Sequence, residues 1–245
     1  MMNNLRLEIE YIGTNYNGWQ KQPGRPTVQQ IIEDAVFSIT GKRTLIYGSG
    51  RTDSGVHALA QVANFKTDSH LTTQQMQRAL NSVLPDDITV SKVKKVPLKF
   101  HSQYNSKSKV YVYTLLNRDF PSAHMKYRTW LVKEKLDLDK MRKASEYLLG
   151  THDFKVFAHS GLSVKTTVRN ILKTKLRKKG SIIEFEIEGS GFLKRMVRLI
   201  MGTLVHVGRG NITPSEFKQI LYNGEKTKYV ISAPAKGLTL KKVKY

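Results

Sequence analysis

Thr44-Leu45-Ile46-Tyr47-Gly48-Ser49-Gly50-Arg51-Thr52-Asp53-Ser54-Gly55-Val56-His57-Ala58-Leu59-Ala60-Gln61-Val62-Ala63-Asn64-Phe65 decides how the chain is read. Its first four residues are apolar and strand-like, residues 59–65 are strand-like again, and three glycines fall within eight residues between them. Such a loop either turns sharply or brings backbone close to a ligand. Outward on both sides the pattern turns helical. Thr27-Val28-Gln29-Gln30 has capping-box spacing, and Val28, Ile31, Ile32, Ala35, Val36 and Ile39 recur at helical intervals. Thr72 to Gln75 repeats the capping pattern before Met76, Ala79, Leu80 and Val83, and Pro85 ends that helix. Further out, Leu5, Leu7 and Ile9 alternate with Arg6, Glu8 and Glu10, and residues 88–96 return to strand. The order strand, helix, strand, strand, helix, strand is the split βαβ, ferredoxin-like arrangement.

The remainder repeats this order loosely. Residues 110–116 read as a strand, and Leu138, Met141, Ala144 and Leu148 mark a helix. Residues 168–176 are strand-like, and Ile183, Phe185 and Ile187 alternate with Glu184, Glu186 and Glu188. Met196, Val197, Ile200, Met201 and Leu204 make a helical stripe, a shorter helix covers 214–222, and a strand closes the chain around 238–243. The expectation is an α+β protein of two ferredoxin-like or RRM-like halves, residues 1–105 and 106–245, with mainly antiparallel sheets packed side by side. No Pro/Ser-rich linker separates them, so intimate packing is expected.

Composition narrows the function. Among 245 residues, 41 Lys and Arg face 19 Asp and Glu, a formal net charge of 41 − 19 = +22. A charge that large points to a polyanionic partner, nucleic acid first. An anionic membrane surface is disfavoured, since no 18-residue apolar run is present. The absence of cysteine excludes disulfides, thiolate catalysis and cysteine-ligated zinc or iron–sulfur sites. With no signal-peptide core before the charged first strand, the expected location is cytoplasmic. The seven histidines show no HxH or HExxH spacing, so no metal site is expected.

The glycine loop holds one acid, Asp53, and one base, Arg51. Alone, that is an ordinary solvated pair in a strand connection. As a phosphate cradle the loop is poor: the spacing lacks a third glycine, and an acid at position 53 repels pyrophosphate. The Gly-Lys-Ser/Thr of a P-loop is absent, and no nucleophile elbow surrounds Ser54.

Further motifs change the weighting. Residues 50–58 followed by Gln61-Val62-Ala63-Asn64-Phe65 resemble the signature of the tRNA pseudouridine synthase A family. Tyr16-Asn17-Gly18-Trp19-Gln20, residues 81–88 (Asn-Ser-Val-Leu-Pro-Asp-Asp-Ile), Phe100-His101 with Tyr111-Val112-Tyr113, and Leu149-Gly150-x-x-Asp153-Phe154 resemble the family's motifs in order. So do Val168-Arg169-Asn170-Ile171, residues 191–198 (Gly-Phe-Leu-Lys-Arg-Met-Val-Arg), Gly202-Thr203-Leu204 and Val207-Gly208-Arg209-Gly210. The matches run from residue 11 to 240.

The resemblance implies two ferredoxin-like halves around a central basic cleft, a homodimer, and no cofactor or metal. It implies isomerisation of uridine to pseudouridine in the anticodon stem-loop of tRNA, at roughly nucleotides 38 to 40. By the same resemblance Asp53 is the nucleophile and Arg198 its ion-pair partner. Arg51 engages RNA around the extruded base, Tyr111 packs on the target uracil, and Leu238 lies near the base. A carboxylate suits the work, because it can add covalently and later leave, and in a closed site it needs a cation to stay ionised. The uracil must be flipped from its stack, which costs a few kcal/mol. Lys21, Arg25, Lys107, Lys109, Lys165, Arg169, Lys194 and Arg195 are the candidate phosphate contacts, and His57 and Gln61 the supports of the loop. Tyr113 shares a strand face with Tyr111 and reads as structural. Lys194-Arg195 and Leu199 depart from the family's usual aromatic or histidine residues and asparagine, so a paralogue with other RNA positions is one alternative. A non-catalytic basic RNA-binding or folding protein is another.

Overall fold

The computed structural model describes residues 2–159 and 164–245. Two compact units emerge: Met1–Lys107 together with Leu240–Tyr245, and Ser108–Thr239.

In the first unit the chain runs β1 (Asn3–Tyr11), α1 (Val28–Thr40), β2 (Tyr47–Gly48), β3 (His57–Thr67), α2 (Thr73–Val83) and β4 (Ile88–Val96). β1 lies between β3 and β4, antiparallel to both, and β2 pairs antiparallel with β3. This is the split βαβ order that the alternation and the two helical stripes implied. Leu5, Leu7, Ile9, Phe65 and Val90 of the strands and Val28, Ile32, Val36, Met76 and Leu80 of the helices are all buried. Each such side chain contributes about 1.5–3 kcal/mol of burial.

Two local expectations resolve differently. Residues 44–46 are not strand; only Tyr47–Gly48 pairs. The Ile46 amide donates to Glu33 Oε1 (3.3 Å), and its carbonyl accepts from Gln29 Nε2 (3.0 Å). Side chains of α1 thus take the backbone bonds that a strand would have used. Thr27 does precede α1, but its side chain makes no capping bond and its hydroxyl is buried without a partner. The first amides of α1 are met instead by the carbonyls of Gly18 (3.2 Å) and Trp19 (3.0 Å). At α2 the box forms as read: Thr72 Oγ1 accepts from the Gln75 amide, and the Thr72 amide donates to Gln75 Oε1.

The second unit begins with β5 (Ser108–Asn117) and continues with β6 (Trp130–Val132), α3 (Leu138–Glu146), β7 (Gly150–Asp153), β8 (Val168–Lys179), β9 (Ile182–Gly189), α4 (Met196–Gly208) and α5 (Pro214–Asn223). β10 (Leu238–Lys244) closes the chain and belongs to the first unit from Leu240 onward. Within the second unit the strand order is β5-β9-β8-β7, antiparallel throughout, with β6 parallel to β5. β6 and β7 are three and four residues long and carry no alternation to read. α4 is more than a stripe: every residue except Arg198 and His206 is buried. Residues 196–208 are therefore a core helix, apolar nearly all round.

Candidate active site

The acid-bearing loop is held by a second segment, residues 13–19, and by side chains of β1 and β3. Thr52 accepts from the Trp19 amide (3.1 Å) through its carbonyl and shares a hydroxyl–hydroxyl bond with Tyr11 (2.8 Å). The Tyr16 carbonyl accepts from the Gly55 amide (3.4 Å) and from Ser54 Oγ (3.2 Å). The Gly13 amide donates to His57 Nδ1 (3.0 Å). Gln61 completes the frame, donating Nε2 to the Gly50 carbonyl (2.9 Å) and accepting from Ser49 Oγ (2.7 Å). Tyr11, Trp19, Ser49, Thr52, His57 and Gln61 are all buried, so these bonds are shielded from competition with water.

Two glycines are required here. Val56 donates to the Asp53 carbonyl (3.1 Å), closing a turn whose third residue, Gly55, sits at φ +79°. Gly18 sits at φ +80°, and a Cβ there would lie 2.4 Å from the Thr52 carbonyl oxygen. The Tyr-x-Gly-Trp-Gln motif and the glycine loop are therefore two halves of one interlocked device. Asp53, the first residue of the turn closed by Val56, is half-buried and Arg51 is exposed.

The second unit presents its residues from regular elements. Tyr111 on β5 is buried, with the Phe192 ring against it edge-on at 5.1 Å. Arg198 is the one cation of the core helix α4, half-buried, its Nε donating to the Ala233 carbonyl at 2.7 Å. The Ala233 amide in turn donates to the Arg198 carbonyl (3.1 Å). Next to this strap Tyr113 is fully buried and donates to the Pro234 carbonyl (2.7 Å). Burial holds the Tyr113 hydroxyl far above the ordinary phenol range, with the nearby Arg198 charge pulling only weakly the other way. Leu238 is buried.

The basic candidates divide by surroundings. Arg25, Lys107, Lys165, Lys194 and Arg195 are exposed. Lys21 is tied to buried Glu33, Nζ to Oε2 at 3.0 Å. Lys109 and Arg169 are half-buried, and desolvation lowers the pKa of each. Arg169 Nη1 donates to the carbonyls of Thr166 (2.9 Å) and Val168 (2.6 Å). Arg195 stands at φ +64°, the one non-glycine residue with positive φ among the described residues. Such a conformation costs on the order of 1 kcal/mol, and the Arg195 carbonyl receives the Leu199 amide at 2.9 Å in the first turn of α4. No local pattern in the sequence announces it. Glu33 was equally hidden: an acid on a helix reads as solvated until its neighbours are known.

A family model described as tRNA pseudouridine synthase matches residues 8–105 and 144–245. The chain is also 47% identical over 244 residues to tRNA pseudouridine synthase A of Acetivibrio thermocellus, covering all of both chains. The chain belongs to the tRNA pseudouridine synthase family. Its family membership extends across residues 106–143, which the model leaves unmatched but full-length relatives include. One is tRNA pseudouridine synthase A 2 of Clostridium perfringens, 46% identical over 244 residues with both chains fully covered. Among solved structures, a crystal structure of a Cbf5-Nop10-Gar1 complex overlaps 82% of this family member and 45% of that chain, at 16% identity and a TM-score of 0.36; that likeness carries no weight here. Among the described residues no helix is long and apolar enough to cross a membrane, and no group of three His, Asp or Glu residues is arranged to hold a metal ion.

Proposed function

We propose that the protein converts uridine to pseudouridine in the anticodon stem-loop of tRNA, at roughly nucleotides 38 to 40, acting as a cytoplasmic homodimer on a base drawn out of its stack. The carrying observation is full-length identity of 47% to a tRNA pseudouridine synthase A, together with the half-buried Asp53 in a loop held by hydrogen bonds. The reaction breaks the C1′–N1 bond, turns the uracil and joins C5 to C1′. The proton lost from C5 is balanced by one gained at N1. In this reading Asp53, from residues 1–105, is the nucleophile that bonds to the substrate and then leaves. Residues 106–245 supply Arg198 as its counter-ion and Tyr111 as the ring against the uracil. Arg51 engages the RNA beside the extruded base. Lys21, Arg25, Lys107, Lys109, Lys165, Arg169, Lys194 and Arg195 meet phosphates, to different extents given their surroundings. Support for Arg198 comes from its place on α4, where a cation is set among residues that are otherwise buried.

Asp53→Asn is the direct test. Pseudouridine formation in a stem-loop RNA, read by chemical mapping, should fall to background. Affinity for the same RNA should stay within about twofold, because the phosphate-facing charges are untouched. Turnover equal to the wild type refutes the assignment of the nucleophile.

A further inference from the structure

Three rings cluster at the surface of the first unit, outside the loop just described, tilted against one another by 45° (Tyr47–His101) and 31° (His101–Tyr104). The His101 imidazole lies 4.9 Å from the Tyr47 ring and 4.3 Å from the Tyr104 ring, centre to centre. Tyr104 is 79% exposed and Tyr47 44% exposed. Exposed rings on a loose loop would be unremarkable, but this loop is pinned from beneath. The Phe100 carbonyl accepts from Asn4 Nδ2 (2.9 Å) and Asn64 Nδ2 (3.4 Å). The Ser102 amide donates to Asn64 Oδ1 (2.8 Å), Ser102 Oγ donates to the Tyr47 carbonyl, and the Ser102 carbonyl accepts from the Tyr245 hydroxyl (2.7 Å). Asn4, Asn64 and Ser102 are buried. The imidazole is fixed too: Nδ1 accepts from the Gln103 amide (3.2 Å), and the His101 amide donates to Asn105 Oδ1 (2.7 Å). A buried polar network thus holds an open aromatic cluster in one orientation.

We infer that the Tyr47–His101–Tyr104 cluster is a platform for an unpaired nucleobase of the RNA, which stacks on the exposed ring of Tyr104. This rests on the reading that RNA is the substrate. A flat ring with one free face accepts any base, since every base has a π-face. The charge fits the same occupant: the chain carries +22, and Lys99 and Lys107, both exposed, flank the loop in sequence. Preorganisation lowers the entropy lost on binding, which gives the network beneath the rings a purpose.

The test uses a stem-loop RNA carrying 2-aminopurine at each unpaired position in turn. Wild-type protein should quench at least one position. Tyr104→Ala should abolish that quench and weaken RNA affinity about tenfold, while Tyr104→Phe keeps both. The thermal midpoint should not move, since the ring is open to solvent. Wild-type quench and affinity in Tyr104→Ala overturn the inference. So does a variant that binds RNA normally but loses self-association in sedimentation, which would assign the rings to a second copy of the chain. Failure of the underlying reading is distinguishable: there the wild type itself neither binds nor isomerises the RNA, and the platform falls with it.

Discussion

The loop at Asp53 and the Tyr111–Arg198 region hold their side chains by opposite means. In the first, no regular element spans residues 49–56, and the loop is fixed by hydrogen bonds to the segment at residues 13–19 and to the side chains of Tyr11 and Gln61 on the flanking strands. In the second, a strand and a core helix supply the framework, and a strap at residues 233–234 ties them down. A loop can present an acid at an apex that a strand would bury, but it needs a partner to hold it. A strand and helix bring their own ladder, and need only local fastening.

That difference makes the loop the more fragile of the two. The largest expected effect is Gly18→Ala, where the new Cβ meets the Thr52 carbonyl and the backbone is left-handed. Together these should cost about 3 kcal/mol in denaturant unfolding. Pseudouridine formation should fall more than stability alone explains, because Asp53 shifts. A fully active, stable Gly18→Ala would break the claim that the two loops interlock.

A closer comparison uses matched hydroxyls. Tyr11→Phe removes the bond to Thr52 of the loop, and Tyr113→Phe removes the bond to Pro234 of the strap. Each should lose about 1 kcal/mol of stability, the usual cost of a buried hydrogen bond. Burial raises both phenols well above their ordinary range, so neither effect should vary between pH 6 and 9. Activity should separate them, Tyr11→Phe losing more, because a loop has no backbone ladder in reserve. Equal losses of activity would erase the distinction.

The smallest effect concerns His206, the other residue of α4 that is not buried. Burial, and secondarily the Arg209 charge, lowers its pKa below the ordinary 6.5, while its Nδ1 pairs with Asn211 Nδ2 and its ring meets Tyr229. Between the lowered folded value and 6.5 the unfolded chain binds more protons, so stability falls as pH falls through that window. His206→Gln should therefore gain about one degree in thermal midpoint relative to wild type between pH 7.5 and 5. A constant difference across that range would show that His206 does not titrate differently on folding.

The two threonine boxes show what local pattern reveals and where it stops. Thr72 and Thr27 have the same spacing to a glutamine three residues on, yet only Thr72 caps with its side chain. At Thr27 a neighbouring loop supplies carbonyls first, and nothing within a few residues could reveal that competition. Residues 44–46 follow the same rule: Ile46 gives its backbone bonds to Gln29 and Glu33. Motif order singled out Asp53, Arg51, Tyr111 and Arg198 as candidates, whereas Arg198 on spacing alone read as an exposed cation. The burial of α4 around it became visible only once the second unit was folded.

By itself the sequence determined the βαββαβ order, the basic character and the glycine loop with its acid, because periodicity, charge and glycine content are local and additive. Tertiary structure alone decided which carbonyls cap α1 and which helix sinks fully into the core. Each of those depends on groups distant along the chain competing for the same hydrogen bond or the same space.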